Sequence, residues 1–349
     1  MKDENTFLLD ICIPTHNRFK WLKHNLNKIA AIIDSSPNVK KVRILVSNNA
    51  SSDSTASYLY DMKKKFNFIK TYNQHENIGF SMNIFFLWKS SKSEYIWTIS
   101  DDDFYSEELI NSIIDITCSG IIKIPIIINS FHCLIKNPGS DISITRSNML
   151  NLKEHYNILE YKNGLRELLT KENFTAFGLM SSAVLPRFAV KNFILNSKLI
   201  KSSYPHQLLL FKTLYLHELI VLNYKDGLGW RAEDSNWNLS NVRMSFKAHY
   251  LDYLEILKCC DFCSYNLRRN LYKLIYLNSY KASLIFLLKH KKGLRWTLKN
   301  FFINHLRYTY FSIIHDSLLL IAAIVKLNFF NKFLLNIFDR NQNAVNVEN

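Results

Sequence analysis

An α/β fold on an open, largely parallel sheet is what this sequence predicts for its first part, followed by a basic, helical C-terminal region. Three observations carry that prediction. Strand-like runs alternate with runs of helical spacing from Leu8 to Asn129, joined by short links. Polar, turn-forming clusters recur where the strand-like runs end. Hydrophobic residues make up 48% of the 349 and aromatic residues 14%, which suits one large folded domain or two ordinary ones and excludes a disordered chain.

"LLDICIP" (Leu8–Pro14) reads as a short buried strand, and "WLKHNLNKIAAII" (Trp21–Ile33) then places apolar residues at helical spacing. "VRILVS" (Val42–Ser47) is a second strand, closed by the turn-rich "NNASSDS", in which Asp53 or Ser54 is suited to cap the helix running through Tyr58 to Phe66. "FIKTYN" (Phe68–Asn73) is a third strand and "GFSMNIFFLWKSS" (Gly79–Ser91) a third helix. "EYIWTIS" (Glu94–Ser100) is a fourth strand that runs into Asp101, Asp102 and Asp103; Ser106-Glu107-Glu108 then has the look of a helix start, and "IPIIIN" (Ile124–Asn129) is a fifth strand. Ligands of such sheets sit beyond the carboxyl ends of the strands. Pro14–Asn17, Ser47–Ser52 and Asp101–Asp103 all fall at such ends, so three polar clusters converge on one edge.

From about Asn151 the pattern loosens, and from Phe246 it turns helical, which sets a boundary near residue 245 and two regions, 1–245 and 246–349. The charge is lopsided, 44 Lys+Arg against 29 Asp+Glu and net +15, and favours an anionic partner. Ten Lys/Arg and no Asp/Glu lie between Phe262 and His315, interleaved with large apolar residues, as on an interfacial helix against an anionic membrane. Exposed basic helix faces are the ordinary alternative. "SLLLIAAIV" (Ser317–Val325) is about half the ~20 residues a bilayer span needs, and no signal peptide is expected at the N-terminus. Cys260 and Cys263 form a C-x-x-C with no second ligand pair nearby, so the six cysteines are expected as reduced thiols.

Three adjacent acids at a strand end have two readings: a capped, solvated loop, or a site for Mg²⁺ or Mn²⁺, which takes one or two carboxylates together with phosphates and water. A bound dication would relieve the repulsion among Asp101, Asp102 and Asp103. "ICIPTHNR" (Ile11–Arg18), "ILVSNNASSDST" (Ile44–Thr55), "NIGFSMN" (Asn77–Asn83) and "SEYIWTISDDDFY" (Ser93–Tyr105) together resemble, in order and spacing, the family 2 glycosyltransferases, with a style closest to the abequosyltransferase-like members that build bacterial surface polysaccharides. The resemblance implies the GT-A fold, an open mixed sheet flanked by helices, with a nucleotide-sugar half over 1–110 and an acceptor half over 111–245.

What the resemblance implies follows residue by residue. Pro14, Thr15 and Asn17 would wrap the nucleoside, and Arg18, Asn48, Asn77, Gly79 and Asn83 lie in the same donor-binding motifs. Asn49 stands where many members have an aspartate that reads the base; an amide donates as well as accepts, which leaves cytosine or thymine open, and a turn residue is the alternative. Asp101 and Asp102 would bind ribose and metal, with Asp103 a neighbour able to share either role. Met82 replaces an arginine common in close relatives.

Inverting members carry an acidic pair at the helix under the acceptor, where the base that takes the acceptor proton resides. Here that helix begins "SSYPHQLLLFKTL", which offers His206 as the base or as a helix-start histidine bonding backbone. Glu233 and Asp234 in "KDGLGWRAEDSNW" are the rival bases, and Arg231 is a candidate for phosphate or acceptor contact; solvated loop charges are their alternative. The implied partners are a nucleoside-diphosphate sugar, a lipid-linked saccharide acceptor, and an anionic membrane through 262–315, on the cytoplasmic face of the inner membrane. An inactive scaffold of the same fold is a competing expectation. A nucleic-acid-binding protein is disfavoured, because no recognition motif is present and the acids line the ligand edge.

Overall fold

The computed structural model describes residues 7–231, apart from 121–122, 136, 147–148, 151, 153–157, 163–166, 171–172, 174–176, 192–203 and 225–226, together with 256, 259–260, 264–271 and 273–274. The chain divides into two compact units, Met1–Ser235 with Lys258–Phe262, and Asn236–Leu257 with Cys263–Asn349.

In the first unit the order is β1 (Leu9–Thr15), α1 (Phe19–Ser35), β2 (Val42–Asn48), α2 (Thr55–Lys65), β3 (Ile69–Asn73), α3 (Phe80–Ser90), β4 (Tyr95–Thr98), β5 (Phe104–Tyr105) and α4 (Glu107–Cys118). It continues with β6 (Ile126–Ile128), β7 (Phe131–Leu134), β8 (Ser143–Arg146), β9 (Ile158–Tyr161), β10 (Ala183–Pro186), α5 (Arg187–Lys191), α6 (Pro205–Leu216), β11 (Leu219–Leu222) and β12 (Leu228–Arg231). Eight strands form the main sheet in the order β3-β2-β1-β4-β10-β6-β11-β9, and a second sheet has the order β5-β12-β7-β8.

The first four strands of the main sheet are mutually parallel, as the strand–helix alternation requires. The chain moves outward from β1 to β3 and returns to add β4 on the other side of β1. That reversal is a topological switch point, and the crevice beyond the carboxyl ends of β1 and β4 is where such sheets bind ligands. β10 then inserts antiparallel between β4 and β6, and β9 pairs antiparallel with β11, so the sheet is mixed. "IPIIIN" does become a strand, β6, but two strands over from β4 because β10 arrives from later in the chain. The short β5 and its partner sheet have too few residues to show a period in sequence.

β1 is buried along its whole length, including Asp10. A buried acid is tolerated there because Asp10 is fully bonded. It accepts two hydrogen bonds from Arg43, its cross-strand neighbour on β2, at 2.9 Å each, and further ones from Ser91 Oγ (2.7 Å) and the Lys92 and Ser93 amides (3.1 and 3.3 Å). One carboxylate thus ties β1, β2 and the α3–β4 link at the end of the sheet opposite the crevice. Leu22, Leu26, Ile29, Ile33, Ile110, Ile113 and Ile114 from α1 and α4 pack against Ile11, Ile13, Ile44, Val46 and Trp97 of the sheet to form the core. Of the two caps expected at α2, Asp53 is the one that bonds. Ser54 makes no side-chain cap, whereas Asp53 Oδ1 accepts from the Thr55 amide at 3.0 Å and Oδ2 from the Phe19 amide at 3.0 Å.

Candidate functional site

The loops after β1, β2 and β3 are stitched together by side chains. Asn17, held at φ 53°, accepts through Oδ1 from the Ser52 amide at 2.8 Å, and its own amide donates to Ser51 Oγ at 2.9 Å. Asn48 accepts from the Ser51 amide and donates to Asn73, both at 3.0 Å. Asn49 is buried; it donates to Asn77 Oδ1 at 2.8 Å and accepts from the Ile78 amide at 2.9 Å. Asn77 Oδ1 also accepts from the amide of Gly79, whose φ of 83° opens α3 and favours glycine. Buried Asn83 ties α3 to β2 through both ends of its amide, accepting from Ser47 Oγ (2.6 Å) and donating to Ser47 O (3.1 Å). Pro14 belongs to the buried β1 and precedes Thr15, the residue that reaches the aspartates.

Asp101, Asp102 and Asp103 follow β4 at the switch point and are all buried, at 4%, 8% and 6% exposure. They are not a solvated loop. Thr15 Oγ1 donates to Asp101 Oδ2 at 2.6 Å across the crevice, joining the ends of β1 and β4. Asp102 Oδ2 accepts from Arg18 Nη1 and from Arg231 Nη2 (2.7 Å) and Nε (3.3 Å), while Ser100 Oγ donates to Oδ1. Asp103 has other partners: Ser181 Oγ at 2.7 Å and the Arg231 amide at 3.4 Å. Asn25 on α1 supports the turn itself, donating to the carbonyls of Asp101 and Asp103 at 3.0 and 2.8 Å.

The electrostatics divide the trio. Burial, and then the charge of Asp102, push Asp101 up to about 7; burial and Asp102 likewise push Asp103 up to about 7. Asp102 is held below the usual carboxylate range: burial works against its charge, but Arg18, Ser100 and Arg231 outweigh it. Asp102 therefore carries the fixed negative charge of the site.

Asp101 Oδ1 lies 3.5 Å from Arg18 Nη1, the same nitrogen that bonds Asp102. Two carboxylates thus already converge on one positive centre. Among the described residues no three His, Cys, Asp or Glu side chains converge to hold a metal ion by themselves. The donor set fits an Mg²⁺ or Mn²⁺ ion bound by two carboxylates, Asp101 and Asp102, and completed by phosphate oxygens and water.

Arg231 is not free for a phosphate: its side chain is 3% exposed, locked on Asp102 and stacked 4.2 Å over the Trp21 ring. His206 makes no hydrogen bond to the aspartates. It lines an apolar recess with Trp88, Ile96, Leu185, Val190 and Leu210, and its Nε2–H donates to the Gly178 carbonyl at 3.0 Å. Burial, partly offset by that bond, lowers its pKa to about 4. Glu233, Asp234 and nearly all of 262–315 lie outside the described residues. The described cysteines Cys12, Cys118, Cys133, Cys259 and Cys260 are free thiols. No helix among the described residues is long and apolar enough to cross a membrane.

Sequence reasoning missed Ser181, Asn25, Trp21 and His16. His16 Nε2 lies 3.3 Å from Asn17 Nδ2 and 3.1 Å from Asn77 Nδ2, at the junction of the loops. Asn25 and Trp21 share the α1 face, four residues apart, and that spacing after "PTHNR" was the available signal.

Residues 10–121 match the family model "Glycosyl transferase family 2". The abequosyltransferase RfbV of Salmonella typhimurium is 28% identical over 106 residues, 29% of this chain, and the chain spans only 30% of that relative's length. Among solved structures, S. aureus TarS 1-349 superposes with a TM-score of 0.56 at 15% identity, covering 83% of this chain and 78% of that one. The same protein in complex with UDP-GlcNAc gives 0.55 at 15% identity, covering 82% and 76%. A switch-point crevice, and a family match that spans the three stitched loops and the aspartates, lead to one conclusion: residues 10–121 of this chain are similar to glycosyl transferase family 2 and stand on the GT-A fold.

Proposed function

We propose that this chain transfers a hexose or deoxyhexose from a nucleoside-diphosphate sugar to a hydroxyl of a growing bacterial surface glycan, such as an O-antigen, capsule or lipooligosaccharide, in a metal-dependent reaction. The observation that carries this reading is the convergence of Asp101 and Asp102 on one cationic atom at the switch point. The named activity of the abequosyltransferase and the UDP-GlcNAc bound by TarS support the donor class.

In this reading the stitched loops bearing Asn17, Asn48, Asn49 and Asn77 hold the nucleoside. Thr15 aims Asp101, and Ser100 and Arg231 aim Asp102. A bound Mg²⁺ or Mn²⁺ supplies Lewis-acid stabilisation of charge on the departing nucleoside diphosphate. Asp103 acts through Ser181 and the Arg231 amide as a structural tie. The general base is assigned to Glu233 or Asp234, which follow Arg231 by two and three residues; a histidine with its pKa lowered to about 4 and its ring in an apolar recess is a poor base at neutral pH. The acceptor is a lipid-linked saccharide, met at an anionic membrane through the basic stretch 262–315.

Calorimetric titration with UDP and CDP, with and without Mn²⁺, tests the donor site. Binding is expected to strengthen at least tenfold with the metal, a gain of about 1.4 kcal/mol; metal-independent or absent binding refutes the reading. Asp102→Ala is expected to abolish transfer. Glu233→Gln or Asp234→Asn is expected to lower kcat at least a hundredfold, in line with the typical worth of a general base, with His206→Ala much less affected. The opposite ranking would return the base to His206.

A further inference from the structure

Arg18 and Arg231 both bond Asp102, yet they are held differently. Arg231 uses two nitrogens, lies over Trp21 and is almost fully enclosed. The Arg18 side chain is 39% exposed and meets both acids through the single nitrogen Nη1. It stands at the entrance to α1, directly after Asn17 and beside the loops that close the crevice. The position Arg18 Nη1 fills, within reach of both Asp101 and Asp102, is the position a divalent cation would need. Asp102 Oδ2 already serves two guanidinium groups, but Nη1 and a dication would need the same position between the two acids, and like charges at that range repel, so they compete for it.

We propose that Arg18 is a built-in competitor of the metal: it neutralises Asp101 and Asp102 while no cation is bound, and it moves onto the donor's diphosphate once a cation takes the two carboxylates. This rests on the metal and nucleotide reading given above. Arg18 has the reach for such an exchange because most of its constraint is that one nitrogen, and a guanidinium matches a diphosphate as well as a carboxylate. The exchange makes cation and nucleotide helpers of one another. The cation releases the arginine the diphosphate uses, and the diphosphate gives the displaced arginine somewhere to go.

The test uses the full chain and Mn²⁺ alone, followed by the electron paramagnetic resonance of the free ion. Arg18→Gln and Arg18→Met, each checked for folding by thermal unfolding, are expected to bind Mn²⁺ about tenfold more tightly than wild type. In saturating Mn²⁺ the same variants are expected to bind UDP or CDP about tenfold more weakly. A measurement on the unmodified protein guards against misfolded variants: phenylglyoxal modification of Arg18, mapped by mass spectrometry. It should speed up several-fold when Mg²⁺ is added and slow again when a nucleoside diphosphate is added with it. Wild type that binds Mn²⁺ with nucleotide, combined with variants that bind the ion no more tightly, overturns this proposal and leaves the transferase reading standing. An Arg18 modification rate indifferent to Mg²⁺ overturns it equally. Failure of every form to bind Mn²⁺, with or without nucleotide, brings down both.

Discussion

The three aspartates are chemically unequal although they are adjacent. Asp102 is kept ionised by two guanidinium groups, whereas Asp101 and Asp103, pushed up to about 7 by burial and by Asp102, hold protons that an unfolded carboxylate would already have lost. The sign follows from proton counting. Between the ordinary carboxylate range and about pH 7 the folded state binds more protons at these two sites, so stability falls as pH rises through that window. Asp102 acts the other way, but only in more acid solution. His206, lowered to about 4, opposes the pair below neutrality, because the unfolded imidazole protonates first. His24 and His217, both lowered by burial, add to that opposition, so the pair's share is read from the slope of melting temperature against pH between 5.5 and 8 without divalent cation, wild type against a variant of the pair. Asp103→Asn should make that slope more positive in a calorimetric series; an unchanged slope would show that Asp103 is ionised in the fold. The crowding of these acids was plain in "SDDDFY". Their partners were not, because Arg18, Ser181 and Arg231 become neighbours only through the sheet.

At the scale of elements, periodicity located what it could. Every strand and helix expected from Leu8 to Asn129 is present, since each has an apolar face long enough to show a repeat. The antiparallel insertion of β10 was invisible: four residues, "AVLP", carry no period, and their place beside β4 is set by contacts over long separations. The Asp10 ion pair shows how such parallel strands are pinned. Asp10→Asn removes the charge that Arg43 requires and weakens five hydrogen bonds at once. Unfolding in urea is expected to show a loss of about 3 kcal/mol, the usual cost of breaking a buried pair by one partner. A loss below about 1 kcal/mol would mean that the Arg43 charge finds water instead.

For the whole molecule, the net charge of +15 is the property that local motifs leave unexplained. The excess is most concentrated in 262–315, which carries ten Lys/Arg and no Asp/Glu. Sedimentation with anionic liposomes is expected to carry the full chain down at low salt and release it at high salt. Undiminished binding after deletion of 262–349 would assign the charge to another surface.

The separation of the site's parts along the chain has a consequence for biosynthesis. Ser181 is 78 residues beyond Asp103, and Arg231 is 129 residues beyond Asp102. A ribosome therefore finishes the acids long before it makes the groups that let them be buried. Until β10 and β12 emerge, the trio has Thr15 and Arg18 for company and must stay hydrated. The stretch that matches the family model, 10–121, is thus not a module that matures by itself: the burial of its acids is completed by β12, the last of the unit's described strands to leave the tunnel.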